Sequence, residues 1–306
     1  MTRVAILTPD PNAEGDHATW RAALARLQAI LSAEGIDAVP TPWTAHERDA
    51  DGLRAFACVL PLLSWAYHLD HARWLRACRT WRRAGLSVYN PADTLAWNSD
   101  KRYLGELAAR GVAIPHSTWT RQVTRAQLER VLADTGADEL IVKPSVSGGA
   151  WNTRRLARAD LARMSPEPVQ EDDGEVLIQP YLPTITSHGE TSLLFFDGVL
   201  SHAVNKRPAP GDFRVQDDHG GRYTLLDAPP AGAMALAQAT LAAIDAPLLY
   251  ARIDVVPDRH GRWLLMEAEL IEPDLYLGID PRRGAGFAAA VRRRLAGAAG
   301  RASPAR

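Results

Sequence analysis

Short apolar runs alternate with amphipathic stretches over the first ninety residues. Val4–Leu7 is an apolar run stopped by Pro9, the length and punctuation of a strand buried on both faces. Trp20, Leu24, Leu27 and Leu31 follow at 4-3-4 spacing, one face of a helix that Gly35 closes. Ile36–Val39 predicts a second strand, and Phe56–Leu63 a third that is apolar enough to be central. Trp74, Cys78 and Trp81 share a face of the next helix, which ends at Gly85. Ser87–Tyr89 predicts a fourth strand, stopped by Asn90-Pro91. Strand–helix–strand alternation of this kind predicts a parallel sheet.

From Trp97 the pattern changes. Asn98-Ser99 predicts the cap of a helix running to Gly111. Thr124-x-x-Gln127 is a capping box before Leu128, Val131 and Leu132, closed by Gly136. Glu139–Val142 and Glu175–Gln179 read as strands around a Gly/Ser-rich loop. Further on, Ser192–Phe196 and Val199–Val204 flank Asp197-Gly198, a two-residue hairpin signal. Tyr250–Val256 and Arg262–Ala268 flank Asp258–Gly261 as a second hairpin, and the tail after Arg292 is expected to fray. The expected fold class is α/β, turning α+β in the C-terminal part, with a parallel sheet first and antiparallel strands later.

Composition narrows the function. The 306 residues carry 35 Lys and Arg against 36 Asp and Glu, so no basic excess suggests a nucleic-acid partner. Cys58 and Cys78 sit in apolar surroundings and predict reduced core thiols rather than a disulfide frame or a four-cysteine zinc site. The apolar run at the N-terminus is too short for a signal segment, and none reaches the ~18 residues of a membrane span. The expectation is a cytoplasmic protein of ordinary composition, monomer or homodimer, with neither membrane nor nucleic acid as partner.

Several residue groups can carry chemistry. The first turn, Thr8 to Gly15, lacks G-x-G-x-x-G and carries acidic groups that repel a pyrophosphate, which argues against a nicotinamide site. Lys143 leaves a strand into Ser145-Val146-Ser147-Gly148-Gly149. Glycine N–H groups and a lysine can grip a phosphate there, and a hairpin tip with a solvated lysine is the alternative. Glu267 and Glu269 share a strand face. A four-residue loop pairs Pro257 with Arg262 and sets Asp254 opposite Leu265 on that face, and three crowded carboxylates call for a hard cation such as Mg²⁺. Lys206-Arg207-Pro208 and Gly211-Asp212-Phe213-Arg214, with Gly220-Gly221, form one loop able to hold an anion. Lys101 opens a helix, a poor place for a cation unless an anion compensates it. His68, His71 and His202 show no metal spacing and read as structural or surface groups. Asp10, Asp16 and Tyr67, near ends of N-terminal strands, are candidate substrate contacts.

In order, Lys101, Lys143 with its Gly/Ser loop, Gln179-Pro180-Tyr181-Leu182, Glu190, Lys206 to Arg214, Asp254 and Glu267-x-Glu269 resemble the ATP-grasp superfamily. Within it the chain is similar to the glutathione-synthetase-like branch, and to small ligases of the cycloserine-biosynthesis type above others. Tyr89-Asn90-Pro91, Trp97 to Leu104, Gly189-Glu190-Thr191-Ser192 and Ser201 to Gln216 carry that finer likeness. The resemblance implies an N-terminal substrate domain over 1–96, a central lid over 97–181, a C-terminal domain over 182–300 and a tail over 301–306. It implies ATP between lid and C-terminal domain. Lys101, Lys143, Ser147, Gly148 and Gly149 would hold its phosphates, Gln179, Pro180, Tyr181 and Leu182 would form the adenine hinge, and Glu190 would help hold the nucleotide. Asp254, Glu267 and Glu269 would hold two Mg²⁺, with Glu267 bridging.

Glutathione synthetases carry an arginine two residues after the acidic group, where this chain has Ser192. Arg214 and Arg252 are the candidates to replace it, and with Lys206 they form the expected catalytic set. The expected reaction is ATP-dependent ligation of an amino-acid-like carboxylate to an amine through an acyl phosphate, either between molecules or by ring closure as in cycloserine biosynthesis. A phosphotransferase of the same fold and a non-catalytic nucleotide-binding module are the alternatives.

Overall fold

A computed structural model describes residues 1–11, 19–164, 169–170 and 174–302. Gly15 and Asp16 lie outside the described residues. The N-terminal part runs β1 (Thr2–Thr8), α1 (Thr19–Ser32), β2 (Ile36–Pro42), β3 (Cys58–Leu60) and α2 (His71–Arg83). The sheet order is β2-β1-β3, parallel throughout, with Val4 beside both Ala38 and Cys58. Alternation along β1 divides its side chains between two cores. Val4 and Ile6 pack among Trp20, Leu24, Leu27 and Leu31 of α1, whereas Ala5 and Leu7 pack among Trp74, Cys78 and Trp81 of α2. Burial pushes the Cys58 thiol up to about 12, so it acts as a packing group.

Two strands are shorter than the pattern predicts. β3 stops before Pro61, which cannot donate to the ladder, and Leu62 and Leu63 are buried in the turn that follows. Ser87–Tyr89 reduces to a single parallel bridge, Val59 to Val88, on the outer side of β3.

The segment from Trp97 corrects a second expectation. Asn98 does not cap a helix; it ends α3 (Ala92–Asn98), and the next helix, α4 (Tyr103–Ala109), begins five residues later. Three bonds anchor this stretch. The Asn98 amide donates to Ala268 O at 2.8 Å and accepts from Leu270 N at 2.9 Å, and Lys101 N donates to Ser145 O at 2.8 Å.

The middle part holds β4 (Thr118–Thr120), β5 (Gln122–Val123), α5 (Arg125–Thr135), β6 (Glu139–Pro144), β7 (Arg154–Ala157), α6 (Arg158–Leu161), β8 (Val169–Gln170) and β9 (Val176–Pro180). The antiparallel order β4-β9-β6-β7 makes β6 and β7 the hairpin whose tip is the Ser145–Thr153 loop. Helix α5 has its capping box and its left-handed Gly136, and it lays Leu128, Val131 and Leu132 on Leu140, Val142 and Ile178.

The C-terminal part is α7 (Thr184–Ser187), β10 (Glu190–Phe196), β11 (Val199–Arg207), β12 (Arg222–Leu226), α8 (Ala231–Ile244), β13 (Tyr250–Pro257), β14 (Trp263–Glu269) and α9 (Ala285–Ala302). Its antiparallel order is β12-β11-β10-β13-β14. Asp197 and Gly198 have φ of 54° and 78°, as a two-residue hairpin turn requires. The helix α9 extends through the expected frayed tail to Ala302.

The faces of this sheet position the site. Leu193, Phe195, Ile253, Val255 and Leu265 point into a core with Ala233 and Ala237 of α8. On the opposite face, Leu194, Phe196 and Tyr250 pack against the N-terminal core. Two residues further along the same strands that face becomes charged, with Ser192 and Glu190 on β10 and Arg252 and Asp254 on β13.

Candidate active site

The charged end of the sheet closes one side of a cavity of about 910 Å³. The Gly148-Gly149 loop, the strand end carrying Lys143, the Gln179–Leu182 segment and the residues between β3 and α2 close the others.

The carboxylates owe their place to two irregularities. The β13–β14 ladder starts at Pro257 opposite Trp263, so the loop has five residues rather than four. A bulge between Asp254 and Val255 then adds one residue on β14, and the parity is restored. Asp254 consequently faces Glu267, not Leu265, and Arg252 faces Glu269. Leu265 turns into the α8 core, while Met266, the extra residue, lines the cavity.

Lys206 also departs from expectation. It belongs to β11 rather than to a loop, is 3% exposed, and sits opposite Glu190. Its ammonium bonds Glu190 and reaches Asp254 Oδ2 at 3.1 Å. Burial opposes this charge, but Asp254 and then Glu190 hold Lys206 well above the usual lysine range. Asp254 accepts further bonds from Ser192 Oγ at 2.6 Å and from Arg252 Nη2 at 3.0 Å. Burial would raise its carboxyl, yet Arg252 and Lys206 bring it down to about 2. Arg252 also bonds Glu269, whose carboxyl burial pushes up to about 7 against that attraction. Arg252, one strand away from Ser192, thus bonds the same aspartate.

Lys101 is 7% exposed and links two walls. Its Nζ donates to Ser147 O at 2.9 Å in the glycine loop and pairs with Glu267 Oε1 at 3.1 Å. Burial opposes the charge on Glu267, but Lys101 and then Lys143 hold its carboxyl below the usual range. Among the described residues Lys143 makes no ion pair, and burial brings its ammonium down to about 8.

Gln179 is buried and donates to Ser117 Oγ at 2.9 Å. Tyr181 N donates to Glu139 O at 2.9 Å, and Arg155 lies 4.0 Å over the Tyr181 ring. With Leu182 and Pro180 they edge the cavity, and Ile141, Val256 and Met266 add apolar surface beside them. Arg214 lines the cavity and is held by Asp212 through Nε at 3.1 Å and Nη2 at 2.8 Å.

His68 lines the cavity and meets Trp151 of the glycine loop at 5.7 Å between ring centres. His71 bonds Ser99 Oγ at 2.8 Å, and the buried His202 donates from Nε2 to Leu275 O at 3.1 Å, as structural histidines do. Tyr276 is buried at φ 48° on the cavity wall with Arg252 5.5 Å from its ring centre. Its rare backbone angle gives no signal in the sequence. Asp10 is exposed and does not line the cavity.

Among the described residues no three acidic, histidine or cysteine side chains stand assembled around a common ion position. The donor chemistry nevertheless suits Mg²⁺. Asp254, Glu267 and Glu269 offer only oxygen, share one cavity face, and are each paired with a lysine or arginine.

No protein-family profile matches the chain. The cycloserine biosynthesis protein DcsG of Streptomyces lavendulae is 30% identical over 270 residues, 83% of this chain and 81% of that protein. A glutathione synthetase of Prochlorococcus marinus (strain MIT 9313) is 29% identical over 66% of this chain and 65% of that one. The crystal structure of D-cycloserine synthetase DcsG superimposes with a TM-score of 0.77 at 27% identity, covering 96% of this chain and 99% of that one. The D-alanine–D-alanine ligase of Bacillus anthracis gives 0.73 at 16% identity over 99% and 100%, a likeness of fold.

Proposed function

From the premise that this chain belongs to the ATP-grasp family of ligases, we propose that it joins an amino-acid-like carboxylate to an amine within the cavity, at the expense of ATP. The observation that carries this reading is that the Lys101 ammonium donates to the glycine loop and pairs with Glu267, which brings a phosphate cradle and a carboxylate face together. ATP-dependent ligation is the family's chemistry.

The adenine lies between Gln179–Leu182, whose backbone groups read its edge, and the apolar Ile141, Val256 and Met266. Lys101, Lys143 and the N–H groups of Ser147, Gly148 and Gly149 hold the phosphates, and Glu190 contacts the nucleotide. Asp254, Glu267 and Glu269 are the residues to hold two Mg²⁺, which when bound neutralise phosphate charge. Residues 1–96 supply the substrate wall, 97–181 the lid and 182–300 the sheet on which the reaction proceeds.

The substrate carboxylate attacks the γ-phosphorus, the bond to ADP breaks, and an acyl phosphate forms. Lys206, Arg252 and Arg214 spread positive charge over the transferred group. The amine then attacks the carbonyl carbon, sheds its proton, and inorganic phosphate leaves. Water would hydrolyse the acyl phosphate, so the glycine loop must cover it. The likeness to DcsG favours an amine within the same molecule, hence ring closure.

The test is ADP release from Mg-ATP with a panel of amino-acid carboxylates that includes O-substituted D-serines. Release that depends on the carboxylate and needs no second amine supports ring closure. A stable phosphorylated product formed without an amine would make the protein a phosphotransferase. Nucleotide binding without release under any carboxylate would make it a binding module. In the ligase, Glu267→Gln is expected to lower kcat by about 100-fold or more, in line with loss of a metal-bound phosphoryl-transfer site.

A further inference from the structure

Charges around the cavity are matched with two exceptions. Of the lining Lys, Arg, Asp and Glu side chains that are at least partly buried, only Lys143 and Glu272 make no ion pair among the described residues. Phosphate answers Lys143. Glu272 is left with a carboxyl group lining the cavity and no paired cation, and burial, with Glu269 and Glu267 nearby, holds it well above the usual range until a cation joins it.

Its position is fixed before any ligand arrives. The backbone just ahead of it is held by the buried amides of Asn90 and Asn98. Asn90 Nδ2 donates to Leu270 O at 2.8 Å, and Leu270 N donates to Asn98 Oδ1 at 2.9 Å. Tyr250 donates its hydroxyl to Ile271 O at 2.7 Å. Leu270, Ile271 and Pro273 are buried on either side. Trp65 and Tyr67 line the same cavity.

We propose that Glu272 is the subsite for a primary ammonium group of the substrate. A carboxylate on a fixed backbone beside aromatic faces suits a small ammonium, which gains both a charge-assisted hydrogen bond and ring contact. The assignment rests on the reading of an amino-acid-like substrate and deepens it. It also gives the site chemical choice, because an amine held as ammonium has no lone pair to attack the acyl phosphate. The nitrogen bound to Glu272 is thus the one that does not react.

The experiment compares acids of one carbon skeleton, D-alanine with D-lactate and D-serine with D-glycerate. ADP release is followed with Mg-ATP and hydroxylamine as the acceptor. In the unaltered protein the amino acids are expected to show a KM at least tenfold below the hydroxy acids. Glu272→Gln should raise the amino-acid KM at least tenfold, with the KM for Mg-ATP and for the hydroxy acids within threefold. Glu272→Asp should fall between, and serves where the glutamine variant fails to fold. Equal KM values within each pair in the unaltered protein overturn the subsite, as does a Glu272→Gln shift that is absent or equal for both members. ADP release with none of the acids overturns the ligase reading itself, and the subsite with it.

Discussion

Asn98 shows how one buried amide places chemistry several residues away. It satisfies Ala268 O and Leu270 N, the backbone groups around Glu269, and so fixes how the end of β14 presents its carboxylates. Asn98→Ala leaves a buried donor and a buried acceptor without partners, at roughly 1–3 kcal/mol each. Urea denaturation should therefore show a loss of about 2–6 kcal/mol, with the slope of the transition unchanged. Lys143 yields a prediction in pH. Its ammonium titrates at about 8 in the free protein, below the ordinary 10.5, because burial disfavours the charge. Phosphate binds the protonated form and holds the proton. ATP affinity should be level at pH 6–7 and weaken as pH rises through about 8, by up to tenfold per pH unit. Lys143→Arg, which keeps its charge, should make the profile flat across that range. A binding titration at pH 6.5, 7.5, 8.5 and 9.5 decides it.

At the scale of elements, the hairpin β13–β14 shows what could be read and what could not. Glu267-x-Glu269 declares a shared face by alternation alone, and Asp197-Gly198 declares its turn. The partner of Asp254 could not be read. A five-residue loop displaces the register by one and the bulge at Met266 displaces it by one more, and neither has a sequence signature. Similarly, β3 and the Val88 bridge depend on neighbours rather than on their own apolar content. The sequence places Lys206 in a loop, yet pairing with Glu190 and Tyr223 carries β11 through Arg207. Glu272 did leave a trace, a lone carboxylate between the apolar Ile271 and Pro273, overshadowed by the acidic pair before it. The bulge also predicts a separable defect. Deleting Met266 removes the extra residue, so Asp254 can still pair with Glu267 and Val255 with Leu265, but an apolar plate is lost from the cavity. The variant should fold, and its KM for ATP should rise about tenfold or more while the amino-acid KM stays within threefold. A flipped register would instead abolish turnover, which steady-state kinetics would show at once.

At the scale of the molecule, the near balance of acidic and basic residues conceals a segregation. Carboxylates crowd the end of the C-terminal sheet, and Lys101 and Lys143 approach them from the other side. Lys101 neutralises Glu267 directly and holds Ser147. On the proposed reading, phosphate and cations would compete for that pairing, and the glycine loop would move with it. The contact of Trp151 with His68 spans the same gap, joining the loop to the N-terminal wall, and Trp151 remains 36% exposed. Closure over a nucleotide should withdraw this indole from water and shift its fluorescence to the blue. Trp151→Phe should remove the nucleotide-dependent change while leaving ATP binding, measured by calorimetry, within about threefold. Lys101→Ala cuts the loop from the carboxylate face. It should leave Trp151 responsive but weaken the response, with the ATP concentration at half-change raised at least tenfold. An unchanged midpoint in Lys101→Ala would mean that the loop closes independently of the carboxylates, and that the two walls are not coupled through this lysine.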